Sequence, residues 1–273
     1  MLPKASLSDI PDDVQREIQA RLAAIERDEN VRIVLAVESG SRAWGFASAD
    51  SDYDVRFIYV RRHLDYLALF ERRDVLEYPL EGELDFSGWD LKKALLLGLT
   101  WNPALLEWLT SPIIYREQGV EAEAMRKLFV RALGADALVR HYHGLAHRQY
   151  GRHVGQRESV NLKKYFYVIR PAVALLWLRQ RPEDAPPMSL PALLDGVALP
   201  GDVMQEIARL RERKQGMGEV GTGARIAALD VFCEAQMAWA QGAMKGKGEA
   251  ASAEMRAEAE ALFVRAVKTD DVG

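Results

Sequence analysis

The stretch from Val31 to Tyr59 constrains the fold most strongly, because it predicts two strands joined by a glycine-containing turn. The residues from Val31 to Val37 are mostly apolar and β-branched, and Glu38-Ser39-Gly40-Ser41 follows them, as expected for a buried strand that ends in a tight turn. A second strand is expected to begin near Asp52. The sequence therefore predicts a strand, a tight turn and a second strand as its organising unit.

The second strand carries two carboxylates on one face. Side chains alternate along a strand, so Asp52, Asp54 and Arg56 fall on one side, and the other side takes Tyr53, Val55, Phe57 and Tyr59. Two close like charges repel each other, and the arrangement is stable mainly when a cation sits between them. Hard divalent cations such as Mg²⁺ fit carboxylate oxygens. The strand is therefore a candidate metal site.

The turn before this strand is a candidate anion site. Gly40 allows the backbone to approach a ligand closely, and we expect Ser41 and Arg42 to open a short helix whose free N–H groups favour phosphate. Phosphates at the turn would then meet metal at the carboxylates. The alternatives are an ordinary strand-to-helix turn at Gly40-Ser41 and a solvated strand edge at Asp52 and Asp54. Asp50 is also spaced by two from Asp52, but the apolar alternation starts only at Tyr53, which favours a turn position for Asp50.

These residues resemble the DNA polymerase beta nucleotidyltransferase superfamily, which has a Gly-Ser pair followed about a dozen residues later by Asp-x-Asp. The resemblance implies a third carboxylate from a later strand, and Asp85 in EGELDFSGWDLKKAL matches best because Leu84 and Phe86 flank it. Glu83 and Asp90 are nearby rivals. Asp90 has another predicted role, since Ser87-Gly88-Trp89-Asp90 is typical of a capping box that opens a helix.

Four longer phrases resemble one bacterial and phage branch of predicted nucleotidyltransferases associated with RNA repair. They cover roughly residues 30 to 195 and read ESGSRAWGFASADSDYDVRFIY, LDFSGWDLKKAL, NPALLEWLTSPIIY and NLKKYFYVIRPA. The resemblance implies two Mg²⁺ ions, or Mn²⁺ in their place, held by Asp52, Asp54 and Asp85 as catalytic residues. It also implies ATP or another nucleoside triphosphate as donor and an RNA or tRNA end as acceptor.

A later helix supplies further candidates for nucleotide binding. Lys163, Tyr167 and Arg170 are spaced by four and three and would share one face of a helix from Asn161, with Lys164 about 100° round from Lys163. A solvated basic face with a packed tyrosine is the alternative. The resemblance carries the family's Lys and Tyr positions onto these residues. It implies Lys163 or Lys164 and Arg170 on phosphate and Tyr167 on base or ribose.

The composition restricts the possible classes of protein without identifying a function. The chain has 273 residues, 49% of them hydrophobic, and a net charge of −4, so any nucleic-acid contact must come from a local patch. The single cysteine, Cys233, cannot form an internal disulfide and is expected in a core. We expect a soluble, cytoplasmic protein without a membrane span. His143 and His147 could meet on one helix face, but no Cys or Glu accompanies them, and a polar helix face is the preferred interpretation.

Together these features predict an α+β protein. A small mixed β-sheet nucleotidyltransferase domain is expected at residues 1 to 115, and an all-helical domain at residues 116 to 273, with the chain helical from Trp89 onward. The predicted function is metal-dependent transfer of a nucleoside monophosphate from a triphosphate to an acceptor hydroxyl, with release of pyrophosphate. The alternatives are a regulatory module that binds nucleotide without turnover, and a transferase acting on proteins or small molecules. The sequence gives no indication of oligomeric state.

Overall fold

The computed structural model describes residues 6–48, 51–130, 135–216, 221–244 and 251–269, so Asp50 lies outside the described residues. The chain forms two compact units. The sheet unit comprises Ala5–Ala43, Asp52–Ala132 and Ala250–Gly273, and the helical unit comprises Met1–Lys4, Trp44–Ser51 and Leu133–Glu249. The division into domains at residues 1 to 115 and 116 to 273 stays a prediction, because it concerns which parts of the chain fold independently.

The elements alternate between strands and helices in the first half and are mainly helical in the second. The strands are β1 (Val31–Glu38), β2 (Tyr53–Arg61), β3 (Val75–Glu77), β4 (Leu84–Asp90), β5 (Ile114–Glu117), β6 (Ser159–Asn161) and β7 (Thr222–Ala224). The helices are α1 (Asp12–Glu29), α2 (His63–Tyr66), α3 (Leu91–Leu99), α4 (Pro103–Leu109), α5 (Glu121–Met125), α6 (Ala135–His153), α7 (Tyr165–Gln180), α8 (Leu190–Gly196), α9 (Gly201–Gly216), α10 (Ala227–Ala243) and α11 (Ala253–Thr269). None of the helices within the described residues is both long and apolar enough to cross a membrane.

The sheet unit is built on a mixed five-stranded sheet in the order β3-β4-β2-β1-β5. β2 and β4 are parallel, whereas the other neighbouring pairs are antiparallel. One face of the sheet packs with α1, whose apolar residues Ile18, Leu22 and Ile25 recur with helical spacing and are buried. The predicted α+β class with a small mixed sheet is confirmed.

The alternation predicted for β2 is confirmed by burial. Tyr53, Val55 and Phe57 are buried in the core shared with α1, whereas Asp54 and Arg56 on the other face are only partly buried. The strand therefore presents its polar side chains away from α1.

Two sequence predictions were wrong. The chain is not helical throughout after Trp89, because β5 pairs with β1 at the sheet edge and β6 pairs with β7 in a two-stranded sheet. These strands have three or four residues, too few for alternation to reveal, and their partners are distant in the chain. Ser87 is not a helix cap: β4 continues through it to Asp90, and Asp90 caps α3 by accepting a hydrogen bond from Lys92 N at 2.8 Å.

The last helix, α11, belongs to the sheet unit although all of the helical unit precedes it in the chain. It contacts β2, α3 and α5, and its small and apolar residues Ala259, Leu262 and Ala266 are buried at helical spacing. Phe263 packs edge-on against Tyr66, with ring centroids 5.0 Å apart. The C-terminal residues therefore complete the core of the sheet unit.

We expect Leu262→Ala to lower the free energy of unfolding by about 2–5 kcal/mol, because it removes a side chain that is only 2% exposed and leaves a cavity. The matched control is Val264→Ala on the same helix, where the side chain is 38% exposed and the change should stay within about 0.5 kcal/mol. Urea unfolding followed by circular dichroism measures both. Equal effects of the two substitutions would show that α11 does not contribute to the core.

Candidate active site

The pair Asp54 and Asp85 forms the centre of the site. Parallel pairing of β2 with β4 sets Asp54 directly opposite Asp85. The guanidinium of Arg56 lies between them, and its Nη2 atom donates to Asp54 Oδ1 at 3.0 Å and to Asp85 Oδ2 at 2.7 Å. Its Nη1 atom donates to the Asp85 carbonyl at 3.0 Å. The sheet register thus brings together two of the three predicted acids and holds a cation between them.

Asp52, the third predicted acid, is exposed and directly precedes β2. Its backbone carbonyl accepts from Arg42 Nε at 3.3 Å, and the Arg42 guanidinium lies 3.7 Å from the centroid of the Tyr53 ring. Within the described residues, no three His, Cys, Asp or Glu side chains converge in an arrangement that could hold a metal ion. The negative charge of Asp52 is nevertheless near enough to Asp54 to raise the pKa of the Asp54 carboxyl.

Gly40 lies directly against Asp54. A Cβ atom at position 40 would overlap the Asp54 carboxylate, so only glycine permits this approach. The neighbouring Ser39 N–H donates to the Asp54 carbonyl at 2.8 Å, which fixes the turn to the start of β2. The expected glycine contact is present, and it is made with the candidate acid itself.

The short helix expected at Ser41 and Arg42 does not form. Residues 41 to 45 form consecutive turns, and the run ends at Gly45, whose φ is +77°. Ser41 is buried, while Arg42 is partly exposed. The turn therefore lacks the helix N-terminus that the sequence interpretation assigned to phosphate binding.

Glu38 is a functional candidate that sequence reasoning missed. It is fully buried at the end of β1, where its Oε1 atom accepts from Asp54 N at 3.0 Å and its Oε2 atom accepts from Tyr115 OH at 2.6 Å. Burial raises the pKa of the Glu38 carboxyl to about 7. The signal available in the sequence was an acid at the end of a mostly apolar strand, directly before the turn.

The surroundings of Asp54 also disfavour its ionised form. Burial raises the pKa of its carboxyl to about 6, and the positive charge of Arg56 opposes this rise while the negative charges of Asp85 and Asp52 add to it. Nearby positive charge is therefore what stabilises the ionised form of Asp54. Arg56 provides that charge here and was another residue that the sequence interpretation left without a role.

The donor chemistry of this pair fits a hard divalent ion. Asp54 and Asp85 offer carboxylate oxygens, which Mg²⁺ and Mn²⁺ prefer, and Arg56 supplies between them the kind of positive charge that a metal ion would bring. A metal ion held by both carboxylates would have to displace the Arg56 guanidinium from Asp54 and Asp85. The pair thus fits a metal ion in competition with an internal cation.

The remaining predicted residues lie in the helical unit. Lys163 and Lys164 form a 3₁₀ turn before α7 begins at Tyr165, so Lys163 is not on the α-helix with Tyr167 as the spacing predicted. Asn161 caps this turn through its side chain, which accepts from Lys163 N at 3.0 Å. The Lys164 ammonium instead lies 4.7 Å from the centroid of the Tyr167 ring. Their role in nucleotide binding stays a prediction.

Arg170 is buried within the helical unit, with 2% of its surface exposed. Its Nη1 atom donates to the Met188 carbonyl at 3.1 Å, and its guanidinium lies 4.5 Å from the centroid of the Trp44 ring. Trp44 also packs edge-on against Tyr167, with centroids 5.8 Å apart. A phosphate could reach Arg170 only if this packing opened.

Three features define the class of nucleotidyltransferases related to DNA polymerase beta: a Gly-Ser turn after β1, an Asp-x-Asp sequence where the chain enters β2, and a further acid on the parallel strand β4. The family model RlaP, described as the RNA repair pathway DNA polymerase beta family, matches residues 14–265. The chain is also 42% identical over 224 residues to a Bacillus subtilis (strain 168) protein called "Uncharacterized protein YcgL", a match that covers 82% of this chain and 85% of that protein. The chain belongs to the RNA repair pathway DNA polymerase beta family.

The helical unit yields a test through His141 on α6. Burial, and then the charges of Arg170 and Arg148, lower the pKa of His141 from 6.5 to about 3. As the pH falls below 6.5, His141 binds a proton in the unfolded chain but stays neutral in the native chain. The free energy of unfolding therefore falls between pH 6.5 and pH 3, by up to about 1.4 kcal/mol per pH unit. We expect His141→Gln to remove this part of the pH dependence. Urea unfolding across the window would contradict the assignment if the difference between variant and wild type did not depend on pH.

Proposed function

We propose that the protein is a metal-dependent nucleotidyltransferase that moves a nucleoside monophosphate from a nucleoside triphosphate to an acceptor hydroxyl, with an RNA end as acceptor. The observation that carries the proposal is the direct pairing of Asp54 with Asp85 across parallel strands, with Gly40 packed against Asp54. Family membership supports nucleotidyl transfer in general. The metal ion, the donor and the RNA acceptor are part of the proposal.

The proposed reaction forms one bond and breaks one. The acceptor oxygen bonds to the α-phosphorus, the bond from that phosphorus to the β-phosphate oxygen breaks, and pyrophosphate leaves while the acceptor hydroxyl loses its proton to solvent. Bound Mg²⁺ would neutralise phosphate charge and lower the pKa of the attacking hydroxyl. We assign the donor-side ion to Asp52 and Asp54, and the acceptor-side ion to the same residues with Asp85. The protein contributes positioning and electrostatics.

The phosphate contacts are assigned to the turn and to the helical unit. The backbone at Gly40 and Ser41 and the charge of Arg42 would hold the β- and γ-phosphates, with Arg42 already anchored beside Asp52 by its hydrogen bond to the strand. Lys163 or Lys164 and Arg170 are assigned to phosphate, and Tyr167 to base or ribose. Half-exposed Lys164 and Tyr167, stacked as a pair, support this assignment better than buried Arg170.

A nucleotide-binding module without turnover is the second candidate. The Arg56 bridge favours it, because an internal cation already neutralises the two acids. Pyrophosphate release with each nucleoside triphosphate, with Mg²⁺ and with chelator, discriminates the two. Incubating labelled triphosphate with total RNA and with lysate then separates an RNA acceptor from a protein or a small molecule.

We expect Asp54→Asn to lower pyrophosphate release by about two orders of magnitude or more, because it removes a carboxylate ligand of the proposed metal ions, which would neutralise the negative charge of the transferring phosphate. The fold should survive, since the substitution relieves repulsion from Asp85 and Asp52. Asp13→Asn on α1, which is exposed, is the matched control and should leave release unchanged. Near-wild-type release by Asp54→Asn, with an unchanged melting temperature, would refute the site.

Arg56 provides a test that needs no turnover. We expect Arg56→Gln to bind Mn²⁺ at least tenfold more tightly than wild type, equivalent to about 1.4 kcal/mol, because the metal no longer displaces a bound cation. In chelator the variant should melt at a lower temperature, since Asp54 and Asp85 then face each other without a cation. Calorimetry with Mn²⁺ and no nucleotide measures the affinity, with exposed Arg16→Gln as control. Weaker or unchanged Mn²⁺ binding would show that Arg56 does not compete with metal.

A further inference from the structure

A cavity lies in the sheet unit, at the end of β2 and β4 that is opposite to the acids. Arg61 is the last residue of β2 and Asp90 the last of β4, and both line a cavity of about 830 Å³. This volume is in the range of small-molecule sites. Asp54 lies seven residues back along β2, which corresponds to about 23 Å at a strand rise of 3.3 Å per residue. The cavity is therefore separate from the candidate active site.

Arg61 gives this cavity a buried positive charge with incomplete hydrogen bonding. The residue is 5% exposed, and its Nη2 atom donates to the Arg73 carbonyl at 3.2 Å. Its Nε atom is buried without a hydrogen-bond partner in the part of the chain that the structure describes, and Asp90 Oδ2 lies 3.8 Å from it, too far for a hydrogen bond. A buried charge is costly unless it is closely paired, so an anion in the cavity would complete the site.

Asp90 is not free to act as that anion. Its carboxylate accepts from Tyr66 OH at 3.2 and 3.1 Å and from Lys92 N at 2.8 Å, which uses it as the cap of α3. These bonds hold the carboxylate away from Arg61. The guanidinium therefore keeps unused donor capacity in the cavity wall.

The other positively charged residues that line the cavity differ in whether they form ion pairs. Arg72 pairs with Asp65 at 2.7 Å, and Lys93 pairs with Asp74 at 3.0 Å. Lys92 is exposed and makes no ion pair within the described residues. Arg73 also lines the cavity and pairs with Glu77, and Arg61 has only a long ion pair with Asp90 at 3.8 Å. Arg61 and Lys92 are thus the wall cations least committed to acids, and a phosphate group is an anion that can take several N–H donors at once.

The loop that forms one side of the cavity also carries exposed apolar side chains. Ala68 and Glu71 line the cavity, and between them Leu69 and Phe70 are 90% and 81% exposed. Cations with donors available, beside an exposed aromatic ring, are the combination that holds single-stranded nucleic acid, since every base has a face that can stack. A free phosphate ion would use the cations but not Phe70.

We propose that this cavity binds a phosphodiester group of single-stranded nucleic acid through Arg61 and Lys92, with Phe70 stacking on an adjacent base. Only the identification of this single-stranded nucleic acid as the acceptor of the nucleotidyl transfer rests on the proposed function. The site would hold the nucleic acid about 23 Å from Asp54 along the sheet. It would thereby add affinity without touching the reacting atoms.

The test measures binding of a short fluorescein-labelled oligoribonucleotide by anisotropy, in chelator and without triphosphate. Lys92→Glu should weaken binding at least tenfold through charge reversal, and Phe70→Ala should weaken it by about tenfold through lost stacking. Lys92→Glu should fold normally, because an acid is favourable in the first turn of α3. Arg16→Glu, an exposed charge reversal on α1, is the matched control and should bind like wild type.

Two outcomes would overturn the proposal. One is an unchanged affinity of both Lys92→Glu and Phe70→Ala. The other is complete competition by inorganic phosphate at the affinity of the oligonucleotide with no effect of Phe70→Ala, which would assign the cavity to a small phosphate-bearing ligand. Pyrophosphate release is measured separately: oligonucleotide binding that depends on Lys92 without any pyrophosphate release would refute nucleotidyl transfer and leave this site standing.

Discussion

The parallel pairing of β2 with β4 is the constraint on which the candidate site depends. It places Asp54 opposite Asp85, and ladder hydrogen bonds prevent the strands from separating to relieve the repulsion. The same register sets Phe57 opposite Gly88, where a Cβ atom on residue 88 would overlap the Phe57 ring. Core packing on one side of the sheet thus fixes the alignment of charges on the other. The repulsion between the acids persists, and a cation is needed to balance it.

The buried polar groups behind the acids extend this constraint into β1 and β5. Glu38 bonds the backbone N–H of Asp54 and the hydroxyl of Tyr115, so one carboxyl connects three strands. Ser111 adds a hydrogen bond to the Glu38 carbonyl at 2.7 Å. Because a buried carboxyl is tolerated only when its oxygens are bonded, this network specifies where β2 starts and therefore where Asp54 lies. Buried residues beneath the candidate site therefore determine the position of Asp54.

Local patterns in the sequence were sufficient for the strands β1 and β2, and the family resemblance identified Asp85 as the third acid. Alternation identified the polar face of β2, and apolar neighbours distinguished Asp85 from Glu83. The sequence could not reveal β5 or the Arg56 bridge, because both depend on residues brought together from distant parts of the chain. The expected helix at Ser41 failed for a local reason, since Gly45 ends the run of turns after five residues. Lys163 and Lys164 show the same limit: the spacing of side chains does not say where a 3₁₀ turn becomes an α-helix.

The position of α11 has a consequence for synthesis on the ribosome. Arg32 on β1 donates to Glu121 at 3.0 Å and to the Ala266 carbonyl at 3.3 Å, so the first strand is bonded to a residue that is translated 234 positions later. The sheet unit cannot bury Leu262 until α11 has emerged from the ribosome, whereas the contacts among α6, α7 and α10 form between segments that are already available. Contacts so distant in sequence also slow folding after release. Part of the apolar surface of the sheet therefore stays exposed until α11 is synthesised. Cells that make this protein quickly should depend on chaperones during that interval.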